Sequence, residues 1–195
     1  SHTYTTTGQY LITVLGTING FSFGYYDSTS ANKLIDIIQW GTGLQFGTGA
    51  FVIFTDCVNL QTISAPDTPT LTGNQCISMF AGCASLTGGP AMNSWNMSNV
   101  TSTSGMFFTC TLFNENISAW NLSSVIGMSQ MFEEAANFNQ PIGGWNVSNV
   151  QGMGYMFKNA TAFNQDISDW NVTNLQSAIG FMEGKTYTCL LYTSP

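Results

Sequence analysis

The stretch that decides the fold runs from Ile142 to Asn164 and reads I-G-G-W-N-V-S-N-V-Q-G-M-G-Y-M-F-K-N-A-T-A-F-N. The chain contains several versions of it. Tryptophan recurs every 25 residues, at Trp95, Trp120, Trp145 and Trp170. The phenylalanine that follows methionine or its equivalent marks five copies, at Phe54, Phe80, Phe107, Phe132 and Phe157. A repeat of this length is typical of a solenoid, in which each unit buries its apolar residues against its neighbours.

The apolar spacing changes within each unit. The first half has the spacing of leucine-rich repeats and alternates like a strand, at Ile142, Trp145, Val147 and Val150. The second half has apolar residues at intervals of three and four, which predict a short helix, at Met153, Met156, Phe157, Ala160 and Phe163. The sequence therefore predicts an α/β repeat solenoid, a leucine-rich-repeat-like stack with one short strand and one short helix per unit.

Three segments follow along the chain. Residues 1–42 predict an N-terminal β cap, with a hairpin around Asn19-Gly20 and a further short strand from Lys33 to Trp40. Residues 43–185 hold the repeats. Residues 186–195 match neither a repeat nor a polar cap, so we expect this tail to be non-native.

Composition limits the classes of partner. Charged residues make up 7% of the 195 residues, and the polar positions are mostly Asn, Ser, Thr and Gly. Three Lys, no Arg and a net charge of −7 leave little to neutralise phosphates, so we expect no binding to nucleic acid or anionic lipid. No apolar run approaches the roughly 18 to 20 residues of a membrane span, and no membrane insertion is expected.

The consensus F-N-x-x-I-x-x-W-N-V-S-N-V-x-x-M-x-x-M-F-x-x-A-x-x-F-N covers about Phe54 to Met182. It resembles the BspA-type leucine-rich repeat, also described as the mycoplasma lipoprotein-type 26-residue surface repeat. The resemblance implies an extracellular or cell-surface binding protein, often adhesive, with no catalytic residues to carry over. The expected partner is a protein or glycan on another cell or in the matrix.

The repeated aromatic residues have two interpretations. Spaced tryptophans at a surface can stack on sugars or bases. An inward position explains them better, because a Trp that buries about 200 Å² contributes about 5 kcal/mol as an upper bound, at roughly 25 cal/mol per Å². We therefore assign eight residues to the core: Trp95, Trp120, Trp145, Trp170, Phe80, Phe107, Phe132 and Phe157.

Polar residues after each tryptophan form the candidate binding site. By alternation they face outward from the predicted strand, on its concave side. We call this set the ladder: Asn96, Ser98, Asn121, Ser123, Asn146, Ser148, Asn171 and Thr173. The ladder either presents hydrogen-bonding groups to a partner or only solvates the surface of a structural spacer that has no specific ligand. A second set, Asn114, Asn139 and Asn164, is predicted to satisfy backbone groups at a turn.

Catalytic and metal chemistry find little support in the sequence. Cys57, Cys83 and Cys110 occupy the position of Ala135 and Ala160, which favours free buried thiols over disulfides. No Cys-x-x-Cys pair indicates zinc, and we expect no metal and no cofactor. The single histidine is the second residue of the chain, and no nucleophile is placed beside a base. The sequence therefore predicts a protein that is not an enzyme.

Overall fold

The computed structural model describes residues 31–41, 53–71, 73 and 76–184. Within them, the single bounded element of regular secondary structure is a 3₁₀-helix, Met92–Ser94. The repeat units pair through isolated parallel bridges: Asp36 with Thr62, Thr62 with Gly88, Gly73 with Val100, Ser102 with Gly127, Gly127 with Gly152, and Gly152 with Ser177. About half of the other residues of each unit lie in turns.

The prediction of an α/β repeat solenoid built from one strand and one helix per unit is wrong. In the first half of the unit, two tight turns flank the tryptophan. Trp145 N–H donates to Ile142 O at 3.1 Å, and Val150 N–H donates to Val147 O at 2.9 Å. Because these turns interrupt the extended backbone, each unit pairs with the next through a single residue, such as Gly127 or Gly152. No strand or sheet therefore forms in the described residues.

The predicted helix is replaced by three consecutive turns. Met106, Phe108 and Cys110 each donate a backbone N–H to the carbonyl three residues earlier, at 3.0–3.1 Å. Two residues per unit have a positive φ, at 62° for Gly105 and 57° for Thr109. A left-handed residue cannot continue a right-handed α-helix, and it suits the third position of a type II turn. The spacing of three and four is thus produced by turns.

Eleven left-handed residues form two columns through the described units. The first comprises Ser78, Gly105, Gln130, Tyr155 and Gly180. The second comprises Asp56, Gly82, Thr109, Glu134, Asn159 and Gly184. Seven of these eleven residues are not glycine, although glycine alone adopts this conformation without a steric cost. The same backbone path is therefore imposed on every unit, including units whose residues disfavour it.

Backbone N–H groups that do not close turns form hydrogen bonds to the next unit. Backbone N–H groups of Phe107, Phe132 and Phe157 donate to carbonyls of the next unit, at 3.0, 2.9 and 2.8 Å. Every second residue of this segment bonds to the next unit, and the residues between them close turns in their own unit. The buried backbone groups are thus satisfied without a helix or a sheet.

Aromatic columns fill the core between the units. Phe54, Phe80, Phe107, Phe132 and Phe157 are stacked in this order with ring centroids 5.4–5.8 Å apart. A second column, Phe113, Phe138 and Phe163, stacks at 5.9 and 6.1 Å. Within a unit the two columns touch, since the Phe132 and Phe138 ring centroids are 3.8 Å apart. Each unit therefore buries its rings only together with its neighbours.

Only part of the predicted cap lies in the described residues. The predicted strand from Lys33 to Trp40 is reduced to one bridge, between Asp36 and Thr62. This segment does lie against the first unit, because Gln61 N–H donates to Ile35 O at 2.9 Å. The predicted hairpin around Asn19-Gly20 and the tail 186–195 lie outside the described residues.

Candidate functional site

The ladder lies in the turn that follows each tryptophan. We call this turn the corner; it spans 96–99, 121–124, 146–149 and 171–174 in the four units. The four asparagines of the ladder are exposed, and the Ser or Thr two residues later is half-buried or exposed. The intervening residue is buried at Met97, Leu122 and Val147 and partly buried at Val172. The prediction placed the ladder on strands, whereas the structure places it on turns. The side chains still point outward because the buried residue between them anchors the corner.

One hydrogen bond recurs in all four ladder units. The side-chain oxygen Oδ1 of each asparagine accepts the backbone N–H of the Ser or Thr two residues later, at 3.1 Å every time. In three units the hydroxyl also donates to this oxygen, at 2.7 Å from Ser98, 2.8 Å from Ser148 and 2.9 Å from Thr173. This is an Asx turn, in which a side chain takes the place of a backbone carbonyl. It fixes the amide and leaves its Nδ2 group on the solvent side.

A neighbouring row ties the ladder units together. Ser124 Oγ donates to Ser98 O at 2.6 Å, and Asn149 Nδ2 donates to Ser123 O at 2.7 Å. Asn174 Nδ2 repeats the bond to Ser148 O at 2.7 Å. Each of these donors follows its own ladder Ser or Thr, and each acceptor belongs to the preceding unit's ladder. The sequence interpretation missed this row, although its polar residues recur every 25 positions.

The second asparagine set was predicted to satisfy backbone groups at a turn, but Asn114 and Asn139 satisfy backbone groups of the next unit. Asn114 Oδ1 accepts Asn139 N–H at 2.9 Å, and Asn139 Oδ1 accepts Asn164 N–H at 2.8 Å. Gln140 and Gln165 add side-chain donors to the same oxygens, at 2.9 and 2.8 Å. The Oδ1 atoms of Asn114 and Asn139 therefore take part in hydrogen bonds between units. The ladder amides differ because their bonds stay within one corner.

The tryptophans are interior groups. Trp95, Trp120, Trp145 and Trp170 are 3–6% exposed, and their rings stack on one another at 6.1–6.5 Å. Trp145 Nε1 donates to Ile117 O and Trp170 Nε1 to Ile142 O, both at 3.2 Å. The four phenylalanines assigned to the core are fully buried. The tryptophan faces are therefore closed to a sugar or base, which leaves the polar ladder as the candidate site.

Charged side chains from the second half of the unit form a column. Lys158 Nζ lies 3.4 Å from Glu133 Oε1 and 3.9 Å from Glu183 Oε1, so three units contribute alternating charges to one column. Gln130 Nε2 donates to Glu133 Oε2 at 2.8 Å. The hydrogen bond with Glu133 raises the pKa of Lys158 above its usual value. Glu133 is 6% exposed, so the column stabilises a buried carboxylate. Glu133, Lys158 and Glu183 are each 25 residues apart in the sequence. This spacing could have predicted the column, but the sequence interpretation missed it.

The described cysteines are buried and unbridged, which confirms the prediction of free thiols for Cys57, Cys83 and Cys110 and adds Cys76 to them. Burial raises the pKa of Cys76 to about 12 and also raises the pKa of Cys110. A protonated, buried thiol is a poor nucleophile and a poor metal ligand. Among the residues that the structure describes, no cluster of three or more His, Cys, Asp or Glu is arranged to hold a metal ion.

These features define a class of protein, a repeat protein with turn-built units that shares its core between neighbours and exposes a uniform polar ladder. The model of the family described as Mycoplasma protein of unknown function, DUF285, matches residues 74–188, and the chain belongs to that family. Searches of curated proteins and of solved structures returned no match. Within the described part of the chain, no helix is long and apolar enough to cross a membrane.

Proposed function

We propose that this chain is a non-catalytic binding module at the cell surface or outside the cell, and that its ladder contacts a protein or glycan partner. One observation carries the proposal. Four successive units hold an exposed Asn in the same Asx turn, with the same 3.1 Å bond. Pre-ordered polar groups lose little conformational entropy on binding, so a row of them suits recognition.

The proposal of an extracellular position rests on the sequence. The combined W-N-[VLM]-[ST] and M-F spacing resembles BspA-type surface repeats, and we propose that the chain is a surface protein of that kind. Its neutral, Asn-, Ser- and Thr-rich surface suits partners that are recognised through hydrogen bonds. The buried, protonated thiols support a role without nucleophilic catalysis.

A structural spacer with no specific ligand is the second candidate function. The same Asx turns favour it, because the Oδ1 atoms of the ladder are already used inside the corner. In this alternative the asparagines only stabilise turns, and the repeats only provide length. In the binding module the outward Nδ2 groups contact a partner, whereas in the spacer they contact none.

A matched pair of variants separates the two candidates. Asn146→Asp keeps the accepting oxygen and hence the turn, while it removes the outward Nδ2 donor. Asn116→Asp makes the same change in another exposed Asx turn, where Asn116 Oδ1 accepts Ser118 N–H at 3.0 Å outside the ladder. The chain shows that Asp suits this turn, because Asp166 Oδ1 accepts Ser168 N–H at 2.9 Å.

Wild-type chain and both variants are applied to glycan arrays and to immobilised matrix proteins. The binding module predicts that a partner retained by wild type and by Asn116→Asp is bound about 2- to 13-fold more weakly by Asn146→Asp, since one lost hydrogen bond costs about 0.5–1.5 kcal/mol. Equal binding by all three proteins would reject the ladder as the site for that partner. No binding to any probe would leave the spacer.

A further inference from the structure

Asparagine followed two residues later by Ser or Thr is the acceptor sequence for asparagine-linked glycans. Seven such triplets occur in the repeats, and they begin at Asn96, Asn99, Asn116, Asn121, Asn146, Asn159 and Asn171. Glycan transfer uses two groups of a triplet: the side-chain amide, to which the sugar is attached, and the hydroxyl, which the transferase recognises. Because the repeat itself produces most of these triplets, the sequence alone does not select among them. The folded structure does.

The triplet Asn116-Ile117-Ser118 leaves both groups free. Asn116 is exposed, and its Oδ1 accepts Ser118 N–H at 3.0 Å, which leaves Nδ2 to solvent. Within the described part of the chain, neither Asn116 Nδ2 nor Ser118 Oγ has a hydrogen-bond partner. Ile117 is buried between them, and its carbonyl accepts Trp145 Nε1 at 3.2 Å. The triplet is thus anchored through its middle residue, while the two groups that a transferase uses remain available.

The four ladder triplets are more restrained. The hydroxyls of three of them donate to the asparagine Oδ1 at 2.7–2.9 Å, from Ser98, Ser148 and Thr173. In the fourth, the Ser123 carbonyl accepts Asn149 Nδ2 from the next unit at 2.7 Å. Ladder asparagines also follow one another in adjacent units, directly after tryptophans that stack at 6.1–6.5 Å. A glycan on one ladder asparagine would therefore crowd the next.

The triplets that begin at Asn99 and Asn159 are bonded to neighbouring units. Thr101 N–H donates to a carbonyl of the preceding unit at 2.8 Å. Asn159 is half-buried, and the Thr161 hydroxyl donates to a carbonyl of the preceding unit at 3.2 Å. A transferase would have to break these bonds between units to bind either triplet.

The units on either side of Asn116 carry no acceptor at the equivalent position. The residues 25 positions away are Ala91 and Pro141. A glycan on Asn116 would therefore have no second glycan at the same position of a neighbouring unit. Asn116 differs in this respect from every asparagine of the ladder.

We propose that Asn116 is a site of asparagine-linked glycosylation, with a polyprenyl-diphosphate-linked oligosaccharide as the glycan donor. Asn116 Nδ2 attacks the anomeric carbon of the first sugar, and the bond between this carbon and the phosphate oxygen breaks. The polyprenyl diphosphate leaves, and one Nδ2 proton passes to a base of the transferase. This inference goes beyond the proposed binding function and does not depend on it.

The test compares glycan transfer to the folded chain with transfer to short peptides. Purified full-length chain is incubated with a single-subunit oligosaccharyltransferase and a polyprenyl-diphosphate oligosaccharide, and the occupancy of each asparagine is followed by mass spectrometry. Transfer to Asn116 should be about 2- to 13-fold faster than transfer to Asn146, the factor that corresponds to the one net hydrogen bond that holds the Ser148 hydroxyl. Peptides of residues 112–119 and 142–149, which lack the neighbouring units, should be modified at similar rates.

Variants connect the transfer to the triplet. Asn116→Gln and Ser118→Ala should each abolish modification at this position. Ser168→Ala is the matched control, because it removes the hydroxyl from a turn of the same kind in which Asp166 replaces the acceptor amide, and it should leave transfer to Asn116 unchanged.

Three results would overturn the inference. The first is a folded chain that is not modified at Asn116, and the second is a folded chain that is modified equally fast at Asn116 and Asn146. The third is a rate difference that the two peptides reproduce, since the triplet sequence and not the folded structure would then set the rate.

Discussion

Thr109 gives the most discriminating test of the turn-built unit. Its φ is +57°, and a left-handed conformation costs an L-residue about 1–2 kcal/mol, with β-branched residues among the worst. Replacement by Gly removes this cost and adds about 0.5–1 kcal/mol of lost backbone entropy. Thr109→Gly should therefore stabilise the chain by roughly 0.5–1 kcal/mol. For a chain of this size, that raises the melting temperature by about 1–4 °C.

The sign of this effect is the decisive result. If the segment were a helix, as its apolar spacing suggested, Thr109→Gly would destabilise it, since Gly has a lower helix propensity than Thr. Two controls accompany the measurement. Thr68→Gly, at an exposed residue with an ordinary φ, should destabilise by about 0.5–1 kcal/mol. Gly105→Ala should cost about 1–2 kcal/mol, because its φ is +62° and the added Cβ would lie 3.0 Å from Ser78 Oγ.

Equilibrium unfolding in urea and thermal melts, both followed by circular dichroism, measure these changes on the full chain. A melting temperature of Thr109→Gly that falls as far as that of Thr68→Gly would refute the left-handed assignment. It would also restore the helix as the better description of the unit.

The remaining predictions concern the core and the charged column. Thr103→Val should raise the unfolding free energy by about 1 kcal/mol, because the buried Thr103 hydroxyl lacks a hydrogen-bond partner among the described residues; a loss measured by urea unfolding would contradict this. Trp145→Ala should lower the unfolding free energy by about 3–5 kcal/mol in a single transition of the whole array, and an unchanged melt would disprove the stacked Trp core. The pair with Glu133 raises the Lys158 pKa, so its stabilisation is complete below about pH 10.4 and is lost as pH rises through the raised value. Melts at increasing pH should show this loss in wild type but not in Lys158→Met, and parallel curves would contradict it.

The repeat period and the identity of the core residues could be read from the sequence, because stacked units place their large aromatic residues inside at the same position of every copy. The 25-residue recurrence of Trp and Phe therefore identifies both. The secondary structure could not be read in this way. Apolar residues at intervals of three and four serve an α-helix and a series of turns equally well, since both bring residues i and i+3 together. Only the left-handed positions distinguish them, and these are Gly105 and Gly180 in two units but Gln130 and Tyr155 in others. The residue types therefore do not show where the expected helix is interrupted.

The candidate site was only partly predictable for a similar reason. The outward direction of Asn146 and its equivalents follows from the alternation around the buried Val147. The Asx turn depends on the local backbone path, and the bond from Asn149 to Ser123 depends on how two units pair. Equivalent residues, 25 positions apart, can be aligned from the sequence. Asn149 and Ser123 are 26 positions apart, and this one-residue offset depends on how the two units pair.

We propose that the outward Nδ2 groups of the ladder contact the partner, and one titration tests this directly. The tightest-binding probe from the glycan and matrix-protein arrays is titrated into full-length ¹⁵N-labelled chain, and the side-chain amide resonances are followed by nuclear magnetic resonance. We expect the resonances of Asn96, Asn121, Asn146 and Asn171 to shift together, while those of Asn116, Asn114 and Asn139 stay in place. Shifts confined to asparagines outside the ladder would contradict it.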